Sequence, residues 1–328
     1  MREIILGKAE KPTVPKPQID FILLCCCTCK RPLMLKNALL SINSLKFPEN
    51  TRIELLVVDN DEYRSAEGIV KKLEPDLKCS VHYAEEPKRG LAYARNRVLD
   101  EAVKLGASHI MFFDDDELFD ADCLIQHVEL YNTNPEARIV AGLQLNTFAP
   151  DCPTYISNSI VFKLKTSRKK GYVQKSCATN NVFLPVSLTR DYNLKFSEEY
   201  VFMGGEDGDF FSKASALGFT IVWNPDAIIY EVVSEARANI KYVFKRCYYN
   251  GYSSALLKFK NNKNKMKKIK YLLEQIIVII ANGLTILPCL PWFSTSFNAL
   301  GRCIKAKGKY DGTISGQPID FYKDIYGE

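Results

Sequence analysis

The stretch at residues 110–117 constrains the fold of this 328-residue chain more than any other feature. Its first four residues are apolar and predict a short buried strand, and three consecutive aspartates and Glu117 follow directly. Ligands bind at the carboxyl ends of the strands in open α/β sheets. Carboxylates this close together repel one another, so the pattern predicts a divalent cation or hydrogen-bond donors that offset the repulsion. Hard oxygen ligands suit Mg²⁺ or Mn²⁺, and the alternative is a solvated acidic turn.

The charges are divided unevenly along the chain, although the net charge is only +6. Residues 1–235 carry 28 lysines and arginines against 33 acidic residues, a net charge of −5, whereas residues 236–328 carry 16 against 5, a net charge of +11. The hydrophobic content of 47% is sufficient for a substantial core, in one large domain or two small ones. The front of the chain is therefore acidic, and its tail is strongly basic.

The 11 cysteines predict neither a disulfide framework nor a zinc site. Four of them lie within residues 25–29, in an apolar run typical of small buried side chains, and the others are scattered without paired CxxC spacing. We interpret them as reduced thiols of a cytoplasmic protein. Residues 1–18 contain charges and three prolines but no long apolar segment, so an extended lead-in without a secretory signal is expected.

Strands and helices are predicted to alternate through the first third of the chain. The predicted strands are 19–27, 53–61, 80–83 and 110–113, and the predicted helices begin after Pro32, at Ser65 and near Gly90. This order implies a parallel, nucleotide-binding α/β sheet that brings Thr28, Asp59 and Asp114 to one edge. Because neither a GxGxxG motif nor a P-loop motif is present, phosphate would have to be held by a metal and by arginine rather than by a glycine-rich loop.

A second acidic cluster, residues 204–209 (GGEDGD), comes before a helix predicted over 210–217. Carboxylates at a helix N-terminus are favourable on dipole grounds alone, which would explain Asp209 without any ligand. The two glycines before Glu206 predict instead a backbone that passes close to another group. Around this cluster the sequence predicts strands at 139–145, 182–184, 221–223 and 227–233, a turn at 224–226, a helix at 122–131 and an irregular excursion at 150–178.

Five sequence motifs occur in an order shared with one enzyme family. They are Thr28-Cys29-Lys30-Arg31-Pro32, Val57-Val58-Asp59-Asn60, GLAYARN at 90–96, Phe113-Asp114-Asp115-Asp116 and Gly205-Glu206-Asp207. The series resembles the family 2 inverting glycosyltransferases of the GT-A fold, bacterial enzymes of surface polysaccharide assembly, over residues 19–250. The acids at 114–117, with Tyr230-Glu231 and residues 234–237, look most like the succinoglycan-type glucosyltransferase branch.

The resemblance implies an α/β fold of the GT-A type, with a mostly parallel central sheet that binds a UDP-sugar. Asp114 and Asp116 match the outer acids of the DxD motif, where the first contacts ribose or metal and the last ligates the Mn²⁺ or Mg²⁺ that bridges the diphosphate. Asp59 matches the carboxylate that contacts uracil or ribose, and Arg95, or Arg89 nearby, is a candidate partner for the diphosphate. The implied nucleotide-sugar-binding residues are Thr28, Arg31, Asp59, Arg95, Asp114, Asp115 and Asn181, and the implied metal ligands are Asp114, Asp116 and Glu231.

The predicted metal site departs from the family pattern at one position. Many relatives carry a histidine ligand where Tyr230-Glu231 stands in this chain. Glutamate is a harder oxygen ligand, so metal binding is retained in principle. The alternative is that Glu231 is a strand residue that forms a salt bridge with an arginine such as Arg237.

Asp207 matches the catalytic base of the family's Glu-Asp motif. An inverting transfer requires a carboxylate that accepts the proton of the acceptor hydroxyl as this hydroxyl attacks C1, opposite the departing UDP. Glu206 is expected to orient Asp207 or to bind a sugar hydroxyl. The alternative is that Asp207 only caps the helix that follows it.

The tail combines a basic run with an uncharged one. Residues 258–270 contain seven lysines, and no charged residue occurs at 275–301. The apolar run at 276–287 is interrupted by Asn282 and Gly283, which favours a re-entrant or in-plane hairpin over a single membrane crossing. The lysines favour anionic lipid on the cytoplasmic side. The alternative is a buried helix of a compact subdomain. Nucleic acid is disfavoured because few aromatic residues lie among the lysines.

The sequence therefore predicts a lead-in at 1–18, a GT-A catalytic domain at 19–255 and a helical, membrane-associating segment at 256–328. The expected activity is inverting transfer from a UDP-sugar to a polyprenyl-linked saccharide, at the cytoplasmic face of the inner membrane. One rival is a nucleotidyltransferase, whose Gly-rich signature after the first strand is absent. The other is an inactive sugar-binding protein at the membrane surface, which the intact Glu206-Asp207 pair disfavours.

Overall fold

The computed structural model describes residues 14–163, 168–201, 204–259, 264–317 and 319, so most of the predicted lead-in lies outside the described residues. The strands are β1 (Phe21–Thr28), β2 (Arg52–Asp59), β3 (Ser80–Glu85), β4 (His109–Asp114), β5 (Glu117–Phe119), β6 (Ile139–Thr147), β7 (Val173–Gln174), β8 (Val182–Pro185) and β9 (Ile221–Val232). The α-helices are α1 (Pro32–Ser41), α2 (Glu67–Leu73), α3 (Leu91–Leu105), α4 (Cys123–Thr133), α5 (Thr154–Ser157), α6 (Ser187–Arg190), α7 (Glu206–Ala216), α8 (Ile240–Phe259), α9 (Lys265–Ile286) and α10 (Phe293–Ser315).

Within the described ranges, nine strands form one mixed sheet in the order β3-β2-β1-β4-β8-β6-β9-β5, with β7 paired to β9. The predicted parallel arrangement is confirmed for the first four strands, because β1 runs parallel to β2 and β4, and β2 runs parallel to β3. Strand β8 then runs antiparallel to both β4 and β6. The register pairs Thr28 with Asp59 and Cys27 with Asp114, so the predicted strand ends meet at one edge.

Apolar side chains form a core on each face of the sheet. Along β1, Leu23 and Cys25 contact the core on one face, while Leu24 and Cys26 contact the core on the other, because successive side chains of a strand point to opposite faces. Helices α3 and α7 contribute to the first core, and α1, α2 and α4 contribute to the second. Burial on both faces explains why β1 and β4 are continuous apolar runs rather than alternating ones.

Strand β9 is continuous where the sequence predicts two strands and a turn at 224–226, so the predicted turn is wrong. The pairing of β9 with β6 shifts register between Gly142 and Leu143, which leaves residues 225–227 without partners in β6. The unpaired segment is a bulge, and it accommodates Pro225 because a bulged residue needs no ladder hydrogen bond. The turn-forming residues therefore mark a bulge within one strand.

Helix α9 continues through Asn282 and Gly283, so these two residues interrupt the apolar run without interrupting the helix. The Asn282 side chain donates to the carbonyl of Val278 at 2.8 Å and accepts from Arg302 at 2.6 Å, which satisfies its polar groups inside the helix. The chain leaves the helix only after Ile286 and returns along α10, against which α9 packs.

The apolar surface of α9 is largely exposed. The helix is long and apolar enough to cross a membrane, with a mean hydropathy of 1.5 over its most apolar window, and only 11% of that window is buried. Its exposed side chains and those of the following turn include Ile269, Leu273, Ile277, Ile280, Leu284, Leu287, Leu290 and Trp292. The alternative of a buried helix is therefore wrong, and α9 is a candidate membrane-associating segment.

Helices α8 and α10 approach one another at backbone contact. A Cβ atom built at Gly308 lies 2.0 Å from the carbonyl oxygen of Tyr248, and one built at Gly251 lies 2.0 Å from the carbonyl oxygen of Lys305. Small residues permit such close approach of two helices. A small core that includes Phe297 also joins α10 to α8, so this contact anchors the C-terminal hairpin to the rest of the protein.

Replacing Gly308 with alanine is expected to lower the free energy of unfolding by about 1–3 kcal/mol, because the added methyl group overlaps the backbone of α8. The matched control is Gly283→Ala in α9, where no atom lies within 4 Å of the added methyl. That substitution is expected to be neutral or to stabilise the protein by up to about 1 kcal/mol. Urea denaturation followed by circular dichroism measures both, and equal effects would contradict the backbone contact.

Candidate active site

A cavity of about 400 Å³ lies at the carboxyl ends of β1 and β4, within the range of small-molecule sites. The acids Asp114, Asp115 and Asp116 reach it from the end of β4, and Glu206 and Asp207 reach it from the first turn of α7. The two acidic clusters are far apart in the sequence but line one cavity. This is the arrangement that a sugar diphosphate bound between them requires.

The acids that follow β4 are held by hydrogen bonds from neighbouring strands and loops. Asp115 accepts from the hydroxyl of Thr28 at 2.8 Å and from the guanidinium of Arg31 at 2.9 Å. The backbone N–H of Asp114 donates to a carboxylate oxygen of Glu117 at 2.8 Å, so the Glu117 side chain folds back towards the end of β4. Thr28 and Arg31, both predicted to bind the nucleotide sugar, therefore position Asp115 in this structure.

Burial and mutual repulsion shift the protonation of this cluster. Burial, followed by repulsion from Asp116, raises the pKa of Asp114 to about 7. Burial likewise raises the pKa of Asp115 to about 6, and it raises the pKa of Glu117 well above its ordinary value. Carboxyls shifted in this direction bind a proton more readily than isolated carboxyls do.

The raised pKa of Asp114 makes stability depend on pH. The folded protein keeps this proton where the unfolded chain has lost it, so the free energy of unfolding falls as pH rises from about 4 to about 7. We expect Asp114→Asn to reduce this fall by up to about 4 kcal/mol. The control is Asp100→Asn, because Asp100 is exposed and pairs with Lys195 at 2.8 Å. Denaturation at several pH values with a chelator present tests this, and an unchanged slope in Asp114→Asn would contradict it.

Arg95, on α3, lies between the two carboxylates of the second cluster. One of its terminal nitrogens, Nη1, is 2.6 Å from Oε1 of Glu206 and 2.6 Å from Oδ1 of Asp207. The side chains of Arg95 and Glu206 are only 7% and 6% exposed. Burial, followed by repulsion from Asp207, raises the pKa of Glu206. The arginine predicted to bind the diphosphate is thus engaged with the predicted catalytic pair.

Two glycines shape the backbone before this pair. Gly204 and Gly205 have φ angles of +75° and +107°, in the left-handed region that favours glycine. A Cβ atom at Gly205 would lie 2.9 Å from a methyl carbon of Leu257. The predicted close approach is confirmed at Gly205, where the close neighbour is the Leu257 side chain of α8.

Glu231 and Asp116 are bridged by an arginine. Nη1 of Arg237 lies 2.8 Å from Oε1 of Glu231, and Nη2 pairs with Oδ2 of Asp116. Glu231 also accepts from the amide of Gln144. The structure therefore contains the salt bridge that the sequence left open as the alternative for Glu231.

Two predicted nucleotide-sugar residues lie behind the cavity wall. Asp59 is fully buried and accepts a backbone N–H at 2.7 Å and a tyrosine hydroxyl at 2.9 Å. Asn181 is also fully buried, and its side-chain amide donates to the carbonyls of Leu143 at 3.0 Å and Ala227 at 2.8 Å. It therefore holds the bulge of β9 against β6. Their sequence neighbours Asn60 and Asn180 line the cavity instead.

Five further polar residues that line the cavity were not predicted as site residues. They are Gln144, Thr179, Asn180, Tyr242 and Arg246. Thr179 and Asn180 lie three and two residues before the apolar strand β8, and this position was the sequence indication for them. Tyr242 and Arg246 belong to α8, which crosses the cavity only because of the tertiary fold.

The donor chemistry of the cavity fits a divalent cation. Among the described residues, no three histidine, cysteine, aspartate or glutamate side chains already converge on a metal position. Asp114 and Asp116 nevertheless offer hard oxygen ligands whose mutual repulsion a cation would relieve. Glu231 is the third predicted ligand, and it would be available once Arg237 releases it.

The sequence matches the glycosyl transferase family 2 profile over residues 23–188, about half of the chain, which contains four of the five motifs. The chain belongs to glycosyl transferase family 2. This family 2 glycosyltransferase is 28% identical over 228 residues to the succinoglycan biosynthesis protein ExoM of Rhizobium meliloti (strain 1021), covering 69% of this chain and 71% of ExoM. The predicted resemblance to the succinoglycan branch is confirmed by this relative.

Solved structures establish the fold of the glycosyltransferase. TarS 1–349 of S. aureus, in complex with UDP-GlcNAc, has a TM-score of 0.52 and 13% identity, covering 94% of this chain and 99% of that one. The mannosyltransferase PcManGT of Pyrobaculum calidifontis, in complex with GDP-Man and Mn²⁺, has a TM-score of 0.59 and 15% identity, covering 92% of this chain and 90% of that one. The predicted GT-A fold is confirmed.

Proposed function

We propose that this glycosyltransferase moves a sugar from a UDP-sugar to a saccharide acceptor in bacterial surface polysaccharide synthesis, by a metal-assisted, inverting displacement. One observation carries the proposal: Asp114 and Asp116 line the same cavity as Glu206 and Asp207. A diphosphate held at the first pair presents C1 of its sugar to the second pair. The direct transfer of one sugar by this route inverts the configuration at C1.

Asp207 is the general base of the proposed reaction. Its Oδ1 accepts from Arg95 at 2.6 Å and from the Thr179 hydroxyl at 3.0 Å, whereas within the described ranges Oδ2 accepts only from the backbone N–H of Thr179, at 3.3 Å. Oδ2 is therefore the oxygen that accepts the proton from the acceptor hydroxyl. As this proton leaves, the hydroxyl oxygen bonds to C1 and the bond from C1 to the diphosphate oxygen breaks. Arg95 holds Glu206 and Asp207 in fixed positions during the transfer.

At the donor end, Asp114 and Asp116 would hold the cation, and Asp115 is fixed by Thr28 and Arg31. A bound Mn²⁺ or Mg²⁺ supplies Lewis-acid stabilisation of the negative charge on the departing diphosphate. Arginines that line the cavity add positive charge near the same atoms.

Three relatives support this choice of donor, metal and pathway. TarS is solved with UDP-GlcNAc, PcManGT with GDP-Man and Mn²⁺, and ExoM is a succinoglycan biosynthesis protein. The donor class is tested by thermal shift of the purified protein with UDP-, GDP- and dTDP-sugars, with and without Mn²⁺. We expect a Mn²⁺-dependent shift with UDP-sugars and slow release of UDP by hydrolysis. A shift with another nucleotide alone would contradict the UDP assignment.

We also propose that the acceptor is polyprenyl-linked and that the hairpin of α9 and α10 lies in the cytoplasmic leaflet of the inner membrane. The first turns of α9 carry Lys265, Lys267, Lys268 and Lys270, and its later turns expose Leu284 at 73%. Lysines attract anionic headgroups, and exposed apolar side chains insert below them. A membrane-bound enzyme meets a lipid-linked acceptor at the surface where that acceptor is confined.

Vesicle sedimentation tests this surface. Changing the four α9 lysines to glutamine is expected to weaken binding to anionic vesicles by about 1 kcal/mol per lysine, roughly fivefold each. The control changes three lysines of α2 and α3, Lys71, Lys72 and Lys104, in the same way. Leu284→Glu, at an exposed site, should also weaken binding without loss of folding. Equal binding of all variants would contradict the proposed membrane surface.

A further inference from the structure

Arg237 lies between Asp116 and Glu231, two of the predicted metal ligands. Its terminal nitrogens pair with Oε1 of Glu231 and Oδ2 of Asp116, and all three side chains are largely buried. On the other side, Arg31 lies 3.4 Å from the same Oδ2 of Asp116. One carboxylate oxygen of Asp116 and one of Glu231 are therefore already paired with guanidinium groups of the chain itself.

The guanidinium group of Arg237 and a metal ion cannot bind the same carboxylate oxygens at the same time. Mg²⁺ ligands lie about 2.0–2.1 Å from the ion, so a cation between Asp116 and Glu231 would occupy the space that Arg237 fills. Metal bound there has to displace Arg237. The displaced Arg237 guanidinium would lose both of its carboxylate partners while it is still buried. This cost keeps the affinity of the free protein for the metal low.

The displaced arginine has a suitable second partner. Arg237 lines the same cavity as Asp114 and Asp115, where the diphosphate is proposed to bind. Guanidinium groups bind phosphate oxygens through paired hydrogen bonds. In addition, Nε of Arg237 is buried without a hydrogen-bond partner in the described part of the chain, so its present position leaves one donor unsatisfied.

We propose that Arg237 is an exchangeable counter-ion that holds Asp116 and Glu231 in the free protein and passes to the diphosphate when the donor binds, so that metal and nucleotide bind cooperatively. The proposal rests on the proposed function for the identity of the nucleotide. The part of the proposal that concerns metal affinity depends only on the ion pairs of Arg237 with Asp116 and Glu231. A metal that binds strongly only with the donor present protects the site from binding a free cation unproductively.

Titration of the purified full chain with Mn²⁺, followed by electron paramagnetic resonance of the free ion, tests the proposal. Without nucleotide, Arg237→Met is expected to bind Mn²⁺ at least tenfold more tightly than the wild type. Addition of UDP is expected to raise the Mn²⁺ affinity of the wild type strongly and that of Arg237→Met only weakly. Arg237→Lys, which keeps the positive charge, should bind Mn²⁺ about as tightly as the wild type without nucleotide, and a tenfold gain in this variant would overturn the proposal even if Arg237→Met fails to fold.

A double variant tests whether the ion binds at Asp116. Adding Asp116→Asn to Arg237→Met should abolish the gain in Mn²⁺ affinity, since it removes the shared ligand. Nucleotide-free affinity that is equal or lower in Arg237→Met overturns the proposal, as does a gain that survives Asp116→Asn. If the gain is present but UDP has no effect on any variant, the counter-ion role stands and the UDP donor assignment fails.

Discussion

Replacing Asp207 with asparagine is expected to lower the turnover number by about 10²–10⁴-fold, the usual contribution of a general base. Asparagine has the size of aspartate and retains an oxygen that can accept from Thr179, which donates to Asp207 at 3.0 Å. It cannot accept the proton of the acceptor hydroxyl. Binding of UDP should therefore be nearly unchanged, because in the proposed reaction the diphosphate binds at Asp114 and Asp116 and Asp207 faces the sugar.

Asp209→Asn is the matched control for this substitution. Asp209 lies in the same first turn of α7, but it pairs with Lys213 at 2.6 Å and does not line the cavity. The Asp209→Asn substitution also removes one negative charge from the N-terminus of α7, and turnover should stay near the wild-type value. Steady-state kinetics and UDP titration calorimetry separate the two effects. An Asp207→Asn variant with wild-type turnover, or an Asp209→Asn variant with the same loss, would contradict the assignment.

Replacing Arg95 with methionine is expected to lower the free energy of unfolding by about 3–5 kcal/mol. Arg95 neutralises Glu206 and Asp207, each at 2.6 Å, and its side chain is only 7% exposed. Methionine fills similar space but leaves two adjacent carboxylates without a cation. Because burial already raises the pKa of Glu206, the unpaired acids are expected to take up a proton in the variant.

Arg97→Met is the control, since Arg97 lies on the same helix, pairs with Glu101 at 2.9 Å and has a side chain that is 41% exposed. Exposed pairs of this kind contribute about 0–1 kcal/mol. The double substitution Arg95→Met with Glu206→Gln should recover part of the lost stability, because it removes one unpaired charge. Denaturant unfolding measures all three variants. Equal losses for Arg95→Met and Arg97→Met would show that Arg95 does not have the structural role described.

The sequence was most informative where one local pattern determined the structure. Strand β4 and the acids after it were predicted because a buried strand is a continuous apolar run, and parallel strands bring their carboxyl ends to one edge. The second cluster was predictable from its paired glycines, which have the expected left-handed angles. Both features depend on residues that are neighbours in the chain.

The remaining errors arose where tertiary contacts decide the outcome. The turn predicted at 224–226 is a bulge, because pairing with β6 continues on both sides of it. Asn180 and Asn181 are the same residue type and adjacent in the chain. In the fold Asn180 lines the cavity, whereas Asn181 is fully buried. Asn282 interrupts the apolar run at 276–287 but not helix α9, where Arg302 of a different helix donates to its side chain. None of these partners is adjacent in sequence.

The central claim is that a nucleotide diphosphate and a cation bind between the acids after β4 and the first turn of α7. Anomalous X-ray diffraction from crystals grown with Mn²⁺ and UDP tests it most directly. The account predicts one strong manganese peak beside Asp114 and Asp116, with the diphosphate against it and Asp207 across the space left for the sugar. Manganese and UDP at any other surface, or bound in this cavity with Asp207 turned away from the diphosphate, would contradict it.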